Sequence, residues 1–154
     1  MKDFIIGVIS DTHGLLREEA VLALKGADLI IHAGDIGNMK IIKELEKEAP
    51  VVYVRGNCDK EEWAQQVHLN EVVEIGDKLI YVLHDVDTLD LDPAASGFHV
   101  VVYGHSHKPS ISYKEEVLFL NPGSAGPRRF KLPTSIALID INNAVMKPRI
   151  IEIL

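Results

Sequence analysis

Five short clusters of Asp, Asn and His side chains recur along the sequence, and their residue types are those that bind divalent metal ions. The clusters contain Asp11 with His13, Asp35, Asn57, His84, and His105 with His107. Two carboxylates, one amide oxygen and four imidazoles suit Mn²⁺, Fe²⁺, Co²⁺, Ni²⁺ or Zn²⁺, whereas Ca²⁺ and Mg²⁺ prefer oxygen alone. Seven ligands are too many for one tetrahedral ion. They fit two ions about 3.5–4 Å apart that share one bridging carboxylate.

The spacing within two clusters supports a common site. Asp11 and His13 are two residues apart, as are His105 and His107. Residues i and i+2 point to the same side of an extended backbone, whereas they diverge on a helix. The spacing therefore predicts that both pairs lie in extended segments and face one point.

A short apolar run precedes each cluster, at residues 4–9, 29–31, 51–54, 79–83 and 100–103. Runs of this length, rich in β-branched residues and bounded by Gly, Pro or Asp, are typical of buried strands. In open α/β sheets, ligands bind beyond the carboxyl ends of the strands. The five clusters are therefore expected to meet at one edge.

Helical periodicity separates the first three runs. Apolar residues recur at helical spacing over 16–24 and again over 41–45, where Asn38 can cap the second helix. Asp59 followed by Glu62 suggests the cap of a third short helix. The first half is thus predicted to be β-α-β-α-β-α with parallel strands and right-handed crossovers.

The second half is predicted to be rich in strands. They are expected near residues 72–75, 78–83, 99–103, 111–114, 117–120, 135–141 and 145–153, with hairpin turns at Gly76-Asp77 and Asn142-Asn143. This order favours a mixed sheet, or two sheets packed face to face with helices outside. No domain boundary is expected, so residues 1–154 are treated as one domain.

Composition excludes several classes of protein. The 154 residues are 47% hydrophobic and 25% charged, with a net charge of −7, which is ordinary for a globular domain and argues against bulk binding to nucleic acid. No apolar run approaches the roughly 20 residues of a membrane span. The N-terminus makes a poor signal peptide, and Cys58 is the one cysteine, so we expect a cytoplasmic protein without membrane association.

The motifs carry a resemblance to a known family. Asp11-Thr12-His13, Gly34-Asp35, Gly56-Asn57-Cys58-Asp59, His84 and Gly104-His105-Ser106-His107 resemble, in this order, the signature of the calcineurin-like metallophosphoesterase superfamily. The Cys after Asn57, the short chain and Asn121-Pro122-Gly123-Ser124 resemble its small YfcE/MJ0936-type phosphodiesterase subfamily. The retromer subunit Vps29 belongs to the same structural group.

The resemblance implies a four-layer α/β/β/α sandwich with two mixed β-sheets and a dinuclear metal centre. One ion would be held by Asp11, His13, Asp35 and His107, and the other by Asp35, Asn57, His84 and His105, with Asp35 bridging. Mn²⁺ is the first choice for both ions, and Ni²⁺, Zn²⁺, Fe²⁺ and Co²⁺ are alternatives. A hydroxide activated on this centre would hydrolyse a small phosphate ester, most simply a phosphodiester, without a covalent intermediate.

Three further positions carry narrower expectations. Asn57 is expected to contact the phosphate as well as a metal ion, and Arg128 is a candidate for clamping a phosphate oxygen. Larger members of the superfamily carry His where Cys58 stands. Because a thiol is a poor substitute for an imidazole, Cys58 is expected to be a small residue beside the site. His32 is expected to pack in the core or support the site.

Two questions stay open at this point. The acidic segment 85–93 either shapes substrate access or is a solvated loop. The chain is either an enzyme or a scaffold of the same fold that binds protein partners, as the retromer subunit does, and it could form a homo-oligomer.

Overall fold

The computed structural model describes residues 3–154. In chain order the strands of this part are β1 Phe4–Ile9, β2 Leu29–His32, β3 Val51–Tyr53, β4 Asn70–Ile75, β5 Lys78–Leu83, β6 Val100–Val102, β7 Ser110–Lys114, β8 Val117–Asn121, β9 Ser135–Asn142 and β10 Val145–Glu152. They form two five-stranded sheets, ordered β10-β9-β1-β2-β3 and β4-β5-β6-β8-β7.

Both sheets mix parallel and antiparallel neighbours. In the first sheet β1, β2 and β3 are parallel, while β9 pairs antiparallel with both β1 and β10. In the second sheet β5, β6 and β8 are parallel, and the edge strands β4 and β7 are antiparallel to their neighbours. The prediction of two mixed sheets is confirmed. The carboxyl ends of β1, β2, β3, β5 and β6 all precede a polar cluster.

Two α-helices connect the parallel strands of the first sheet, α1 Glu18–Leu24 and α2 Met39–Glu46. Asn38 caps α2 as expected, since its side-chain oxygen accepts a hydrogen bond from Lys40 N at 3.0 Å. The predicted cap at Asp59 is wrong. A 3₁₀ helix, Glu62–Gln66, begins three residues later without a side-chain cap, because the Asp59 carboxylate is bound to backbone N–H groups elsewhere.

The main core lies between the two sheets. Ile6, Val8 and Ile31 of the first sheet and Val82 and Leu120 of the second belong to one buried cluster. The other face of the first sheet is covered by α1 and α2 through a second cluster. Burial of this apolar area on both sides of the first sheet fixes the strand ends relative to one another.

The outer layer over the second sheet is thin. It consists of a 3₁₀ helix, Val86–Thr88, and the loop up to Phe98, whose Leu89 and Phe98 pack on Tyr81 and Val101. The segment from 85 to 99 is short and contains Pro93, so it covers the sheet without forming an α-helix. In the described part of the chain, no helix has the length and hydrophobicity that crossing a membrane requires.

One of the two predicted hairpin turns lies at the predicted residues, and the other does not. The turn at Gly76-Asp77 joins β4 to β5 as expected. The second turn is shifted by one residue, because β9 continues through Asn142 and the chain reverses at Asn143 and Ala144. Both turn residues have positive φ, of 52° and 65°, as a type I′ turn requires.

Replacing Ala144 by Gly should stabilise this hairpin. A Cβ atom in the left-handed region costs about 1–2 kcal/mol, so Ala144→Gly should raise the free energy of unfolding by about 1 kcal/mol in urea denaturation. The matched control is Ala23→Gly inside α1, which should lower it by a similar amount. Equal stability of Ala144→Gly and the parent protein would contradict the proposed turn.

Candidate metal centre

The seven predicted ligands converge at one edge of the molecule, where strand ends of both sheets meet. Asp11 and His13 follow β1, Asp35 follows β2, and Asn57 follows β3. His84 follows β5, while His105 and His107 follow β6. The two sheets therefore contribute four and three residues respectively, and the site depends on how the sheets pack.

One group of side chains contains Asp11, His13 and His107, whose candidate ligand atoms lie within 4.8 Å of one another. Asp11 Oδ1 is 3.3 Å from His107 Nε2 and 3.9 Å from His13 Nε2. Asp35 Oδ2 lies 3.7 Å from His13 Nε2. These four residues are the set that the family resemblance implies for the first ion.

A second group adjoins the first and shares its carboxylates. His84 Nε2 is 3.2 Å from Asp35 Oδ2 and 3.8 Å from Asp11 Oδ1. Asn57 Oδ1 and His105 Nδ1 are 3.1 Å apart, and the rings of His84 and His105 have centroids 5.2 Å apart. The four residues implied for the second ion thus lie side by side. Their ligation of an ion stays a prediction.

The cluster has a buried end and an open end. Asp11, Asp35, His84 and His107 are buried. His13 is intermediate, and Asn57 and His105 are exposed. A substrate would therefore approach from the side of Asn57 and His105.

Several polar atoms of the buried end have no hydrogen-bond partner among the described residues. Asp11 Oδ1, His84 Nε2 and His107 Nδ1 are all buried and without one. Leaving a buried polar atom unsatisfied costs about 1–3 kcal/mol, and more when the atom is charged. Bound cations, one at Asp11 Oδ1 and the other at His84 Nε2, would satisfy these atoms, so the residues present fit bound metal ions.

The tautomer of His84 follows from its surroundings. Its Nδ1 lies 2.7 Å from the carbonyl oxygen of Ala33. Because that oxygen can only accept, Nδ1 carries the proton and donates it. In the neutral ring the lone pair is then on Nε2, which faces Asp35 and Asp11. This arrangement is typical of an imidazole held ready for a metal ion.

The electrostatics of this end favour a bound cation. Burial acts to raise the pKa of Asp35, but His84, the Cys58 backbone N–H at 2.8 Å and His13 outweigh it and lower the pKa to about 2. Burial acts to lower the pKa of His84, yet the Asp35 and Asp11 carboxylates raise it above its usual value. At neutral pH Asp35 is thus ionised and attracts positive charge.

The ligand loops do not have the extended backbone that the i, i+2 spacing predicted. Asp11, His13, Asp35, His105 and His107 all have positive φ, between 46° and 73°. Non-glycine residues in the left-handed region are uncommon and cost about 1–3 kcal/mol each. The expected convergence is found, but the side chains meet through strained turns beyond the strand ends. The surrounding contacts must hold these turns.

Two glycines of the motifs are required by close approach. A Cβ atom at Gly56 would collide with Asp35 Oδ1 and Asp35 N. A Cβ atom at Gly104 would collide with the Ser10 hydroxyl and lie 2.6 Å from Asp11 Oδ2. Each glycine thus lets one ligand loop contact the loop that carries a carboxylate.

Four polar residues hold the ligand loops in place, and the sequence patterns did not predict this role for any of them. The Asp59 carboxylate accepts hydrogen bonds from the backbone N–H groups of residues 36, 37 and 56 at 3.0–3.1 Å. Ser10 Oγ donates to Asp11 Oδ2 at 2.7 Å, and Ser124 Oγ donates to the Asp11 carbonyl oxygen at 3.1 Å. Asn121 Nδ2 donates to the Gly104 carbonyl oxygen at 3.0 Å.

The signal for three of these residues was present in the motifs. Asp59 ends Gly56-Asn57-Cys58-Asp59, and Asn121 and Ser124 open and close Asn121-Pro122-Gly123-Ser124. Nothing in the local pattern gives Ser10 a role. Its contact depends on the turn of the chain at Asp11.

His32 is fully buried and supports the site, as expected. Its Nδ1 accepts a hydrogen bond from Gly34 N at 3.1 Å, so its Nε2 carries the proton and lies 3.0 Å from Thr12 Oγ1. Thr12 Oγ1 in turn donates to the Ile36 carbonyl oxygen at 2.8 Å. Burial lowers the pKa of His32 to about 3, against the attraction of Asp11. The ring is therefore neutral and joins the loops after β1 and β2.

The remaining expectations lie at the edge of the site. Cys58 is exposed and groups with His13 and Asp35. Partial burial and the Asp35 charge raise its pKa, so the thiol stays protonated at neutral pH. Arg128 is exposed, and its described hydrogen bond goes to the Leu132 carbonyl oxygen within its own loop. Its contact with substrate stays a prediction.

The acidic segment 85–93 begins beside the open end. Asp85 Oδ2 is 3.9 Å from His105 Nε2, while Leu89 and Leu91 pack on the second sheet. The packing of Leu89 and Leu91 argues against a wholly solvated loop, and a role of the segment in substrate access stays a prediction.

Comparison with known proteins gives consistent matches over most of the chain. The calcineurin-like phosphoesterase superfamily domain matches residues 4–144. The probable metallophosphoesterase MJ0623 of Methanocaldococcus jannaschii is 36% identical over 151 residues, covering 87% of this chain and 74% of that protein. The phosphodiesterase MJ0936 of the same organism is 27% identical over 165 residues, covering 96% of this chain and 99% of that protein.

A solved structure of Vps29 has the same fold. The crystal structure of Vps29 from Chaetomium thermophilum superposes with a TM-score of 0.77 at 19% sequence identity, covering 97% of this chain and 95% of that one. At this identity the likeness concerns the fold alone.

Removing the Asn121 side chain should weaken metal binding without removing a ligand. Asn121→Ala loses the hydrogen bond that holds the loop of His105 and His107. We expect Mn²⁺ affinity to fall by about tenfold in calorimetry, because partners that only orient ligands are worth about 10–100-fold. The control is Asn70→Ala at the exposed start of β4. Unchanged affinity of Asn121→Ala would show that the loop is held by other contacts.

His32 should give the metal-free protein a specific pH dependence. Its pKa is about 3 in the fold and near 6.5 when unfolded. Between these values only the unfolded chain binds the proton. The contribution of His32 to the free energy of unfolding is therefore full above pH 6.5. Below that pH it falls by at most about 1.4 kcal/mol per pH unit.

The measurement is urea unfolding in EDTA between pH 7 and pH 4 for the parent protein and His32→Asn, whose side chain does not titrate. The free energy of unfolding should decline less steeply in the variant, whereas the surface variant His68→Gln should follow the parent. Parallel curves for the parent and His32→Asn would contradict a buried neutral His32.

Proposed function

The chain belongs to the calcineurin-like phosphoesterase superfamily, and from this premise we propose that it is a metal-dependent phosphodiesterase with two divalent ions. The observation that carries the proposal is the buried end of the cluster. There Asp11 Oδ1 and His84 Nε2 face each other at 3.8 Å, and neither has a hydrogen-bond partner in the described chain. The name of the relative MJ0936, a phosphodiesterase, supports the same class of reaction.

The proposed ligand sets are those that the motifs imply. Asp11, His13, Asp35 and His107 would hold one ion, and Asp35, Asn57, His84 and His105 the other. The ligands are oxygen and nitrogen, so Mn²⁺ is the proposed metal, with Fe²⁺, Co²⁺, Ni²⁺ and Zn²⁺ as alternatives that share the same preference. When bound, two such ions supply an activated water nucleophile and charge compensation for the phosphate oxygens.

The side chains then have separate tasks. Asp35 would bridge the two ions, because its Oδ2 is near both His13 and His84 while Oδ1 is held by Cys58 N. Asn57 is exposed at the open end, and its amide N–H₂ group can donate to a phosphate oxygen. Arg128 is retained as a candidate phosphate contact.

Cys58 is not proposed as the proton donor for the leaving group. Its raised pKa keeps the thiol protonated, but a thiol is a weak hydrogen-bond donor. The enzyme is therefore expected to favour esters whose alcohol leaves easily, or phosphodiesters activated mainly by the metal ions.

A scaffold with little or no catalytic activity is the second candidate. Proteins called Vps29 have this fold, and one solved structure is described as Vps29 in complex with Zn²⁺. Metal binding alone therefore does not separate an enzyme from a scaffold. Turnover does.

Asp35→Asn should abolish metal-dependent hydrolysis. The measurement is release of p-nitrophenolate from bis(p-nitrophenyl) phosphate with added Mn²⁺, compared with EDTA-treated protein. We expect kcat/KM to fall more than about 100-fold in the variant, since even losing a residue that only orients a ligand costs about 10–100-fold. The chemically matched control is Asp77→Asn in the β4–β5 turn, which should keep full activity.

The other outcomes are informative. Tight Mn²⁺ binding without turnover on the ester would favour the scaffold. Turnover that is unchanged by EDTA or by Asp35→Asn would refute a reaction at this cluster.

A further inference from the structure

A cavity of about 480 Å³ opens beside the candidate metal centre, on the side of Asn57 and His84. Arg55, Lys60 and Leu69 also line it. The volume lies within the roughly 300–1,000 Å³ range of small-molecule sites. A larger cavity of about 660 Å³ on the outer face of the second sheet contains none of the seven predicted ligands.

Two cations that line the cavity have no carboxylate partner among residues 3–154. Neither Arg55 nor Lys60 lies within ion-pair distance of an acid there. Arg55 Nη1 makes two long hydrogen bonds, to the Ala64 carbonyl oxygen at 3.5 Å and to Gln65 Oε1 at 3.4 Å. Its other guanidinium donors are left for a ligand.

The two acids of the same cavity do not cancel this charge. Asp59 is 4% exposed, and its carboxylate is occupied by three backbone N–H groups. Asp85 lies toward His105, and its Oδ1 accepts a hydrogen bond from Asp87 N. Because neither acid forms an ion pair with Arg55 or Lys60, both cations are available to an anionic group of a ligand.

The cavity also exposes an apolar side chain. Leu69 is 59% exposed and lines the same cavity as the two cations. A ligand that matches this cavity needs an anionic group for Arg55 and Lys60 and a carbon framework that can cover Leu69. The phosphate that is cleaved would be held by the metal ions, so the anionic group that Arg55 and Lys60 bind would be a second one.

We propose that this cavity binds the part of the phosphodiester substrate that is not cleaved, and that Arg55 and Lys60 select substrates with a second anionic group. The chemical class is a phosphodiester of an organic framework, such as a nucleoside, that carries a further phosphate. The inference rests on the proposed phosphodiesterase function. It adds residues that contribute specificity and leaves the metal ligands as they are.

A pair of chromogenic substrates tests the selection. Both are p-nitrophenyl esters of thymidine 5′-phosphate, and one also carries a 3′-phosphate. In each, water forms the new bond to the 5′ phosphorus and p-nitrophenolate leaves. With Mn²⁺ we expect kcat/KM to be at least about tenfold higher for the ester with the 3′-phosphate, because a hydrogen bond to a charged group is worth roughly that factor.

Arg55→Gln and Lys60→Gln should each reduce this preference severalfold and leave kcat/KM for the simpler ester nearly unchanged. Lys60 is exposed, so its variant does not threaten folding. Arg55→Lys keeps the positive charge and removes the guanidinium, so it tests whether the guanidinium hydrogen bonds contribute to the preference. The matched controls are Lys40→Gln on α2 and Arg149→Gln on β10, which should keep the preference. Equal kcat/KM for both esters in the parent protein, or an equal loss for both esters in the variants, would overturn the inference.

A binding measurement separates this inference from the proposed function. Calorimetry with Mn²⁺ present compares thymidine 3′,5′-bisphosphate with thymidine 5′-phosphate. The inference predicts at least about tenfold tighter binding of the bisphosphate in the parent protein and a smaller difference in Lys60→Gln. If neither ester is hydrolysed, the proposed function fails, and the comparison of affinities then tests the inference about the cavity by itself. Equal affinities for the two nucleotides would refute the inference.

Discussion

The structure around the site depends on two buried carboxylates that share one cluster. An oxygen of Asp11 and one of Asp35 lie within 4.8 Å of each other and of a nitrogen of His84. Burying ionised carboxylates costs several kcal/mol per ion unless the charge is compensated. Asp11 Oδ2 accepts hydrogen bonds from the Ser10 hydroxyl and a backbone N–H group, and Asp35 Oδ1 accepts one from a backbone N–H group. Asp11 Oδ1 has no hydrogen-bond partner in the described chain. This geometry fits a bound cation.

The loops that carry the ligands are strained, and the rest of the fold supplies the contacts that hold them. Five ligand residues have positive φ. Asp59, Ser124 and Asn121 bind the backbone of these loops. Gly56 and Gly104 allow the loops to touch. Since the ligands come from both sheets, the apolar core between the sheets sets the distance between the two halves of the centre.

The two ends of the cluster have different physical character. The buried end, with Asp11, His84 and His107, is shielded from water and is suited to hold an ion firmly. The open end, with Asn57 and His105, adjoins a cavity that Arg55 and Lys60 line. The proposed reaction would use both properties, because an anionic ester would have to reach ions that the protein keeps in place.

The strands and the convergence of seven side chains could be predicted from residue patterns: Asp11, His13, Asp35, Asn57, His84, His105 and His107. Both follow from local alternation of apolar runs and polar clusters and from the rule that ligands gather at strand carboxyl ends. The patterns left open one mixed sheet or two, and the family resemblance implied two. Only the tertiary structure decided the backbone of the ligand loops, the task of Asp59 and the cavity beside Asn57. Asp59 belongs to a motif, but the motif does not specify that its carboxylate also binds the backbone of residues 36 and 37. The loop backbone and the cavity likewise result from contacts between segments distant in the chain. The one-residue shift of the β9–β10 turn has the same cause, because the register was set by pairing along the whole hairpin rather than by the turn residues.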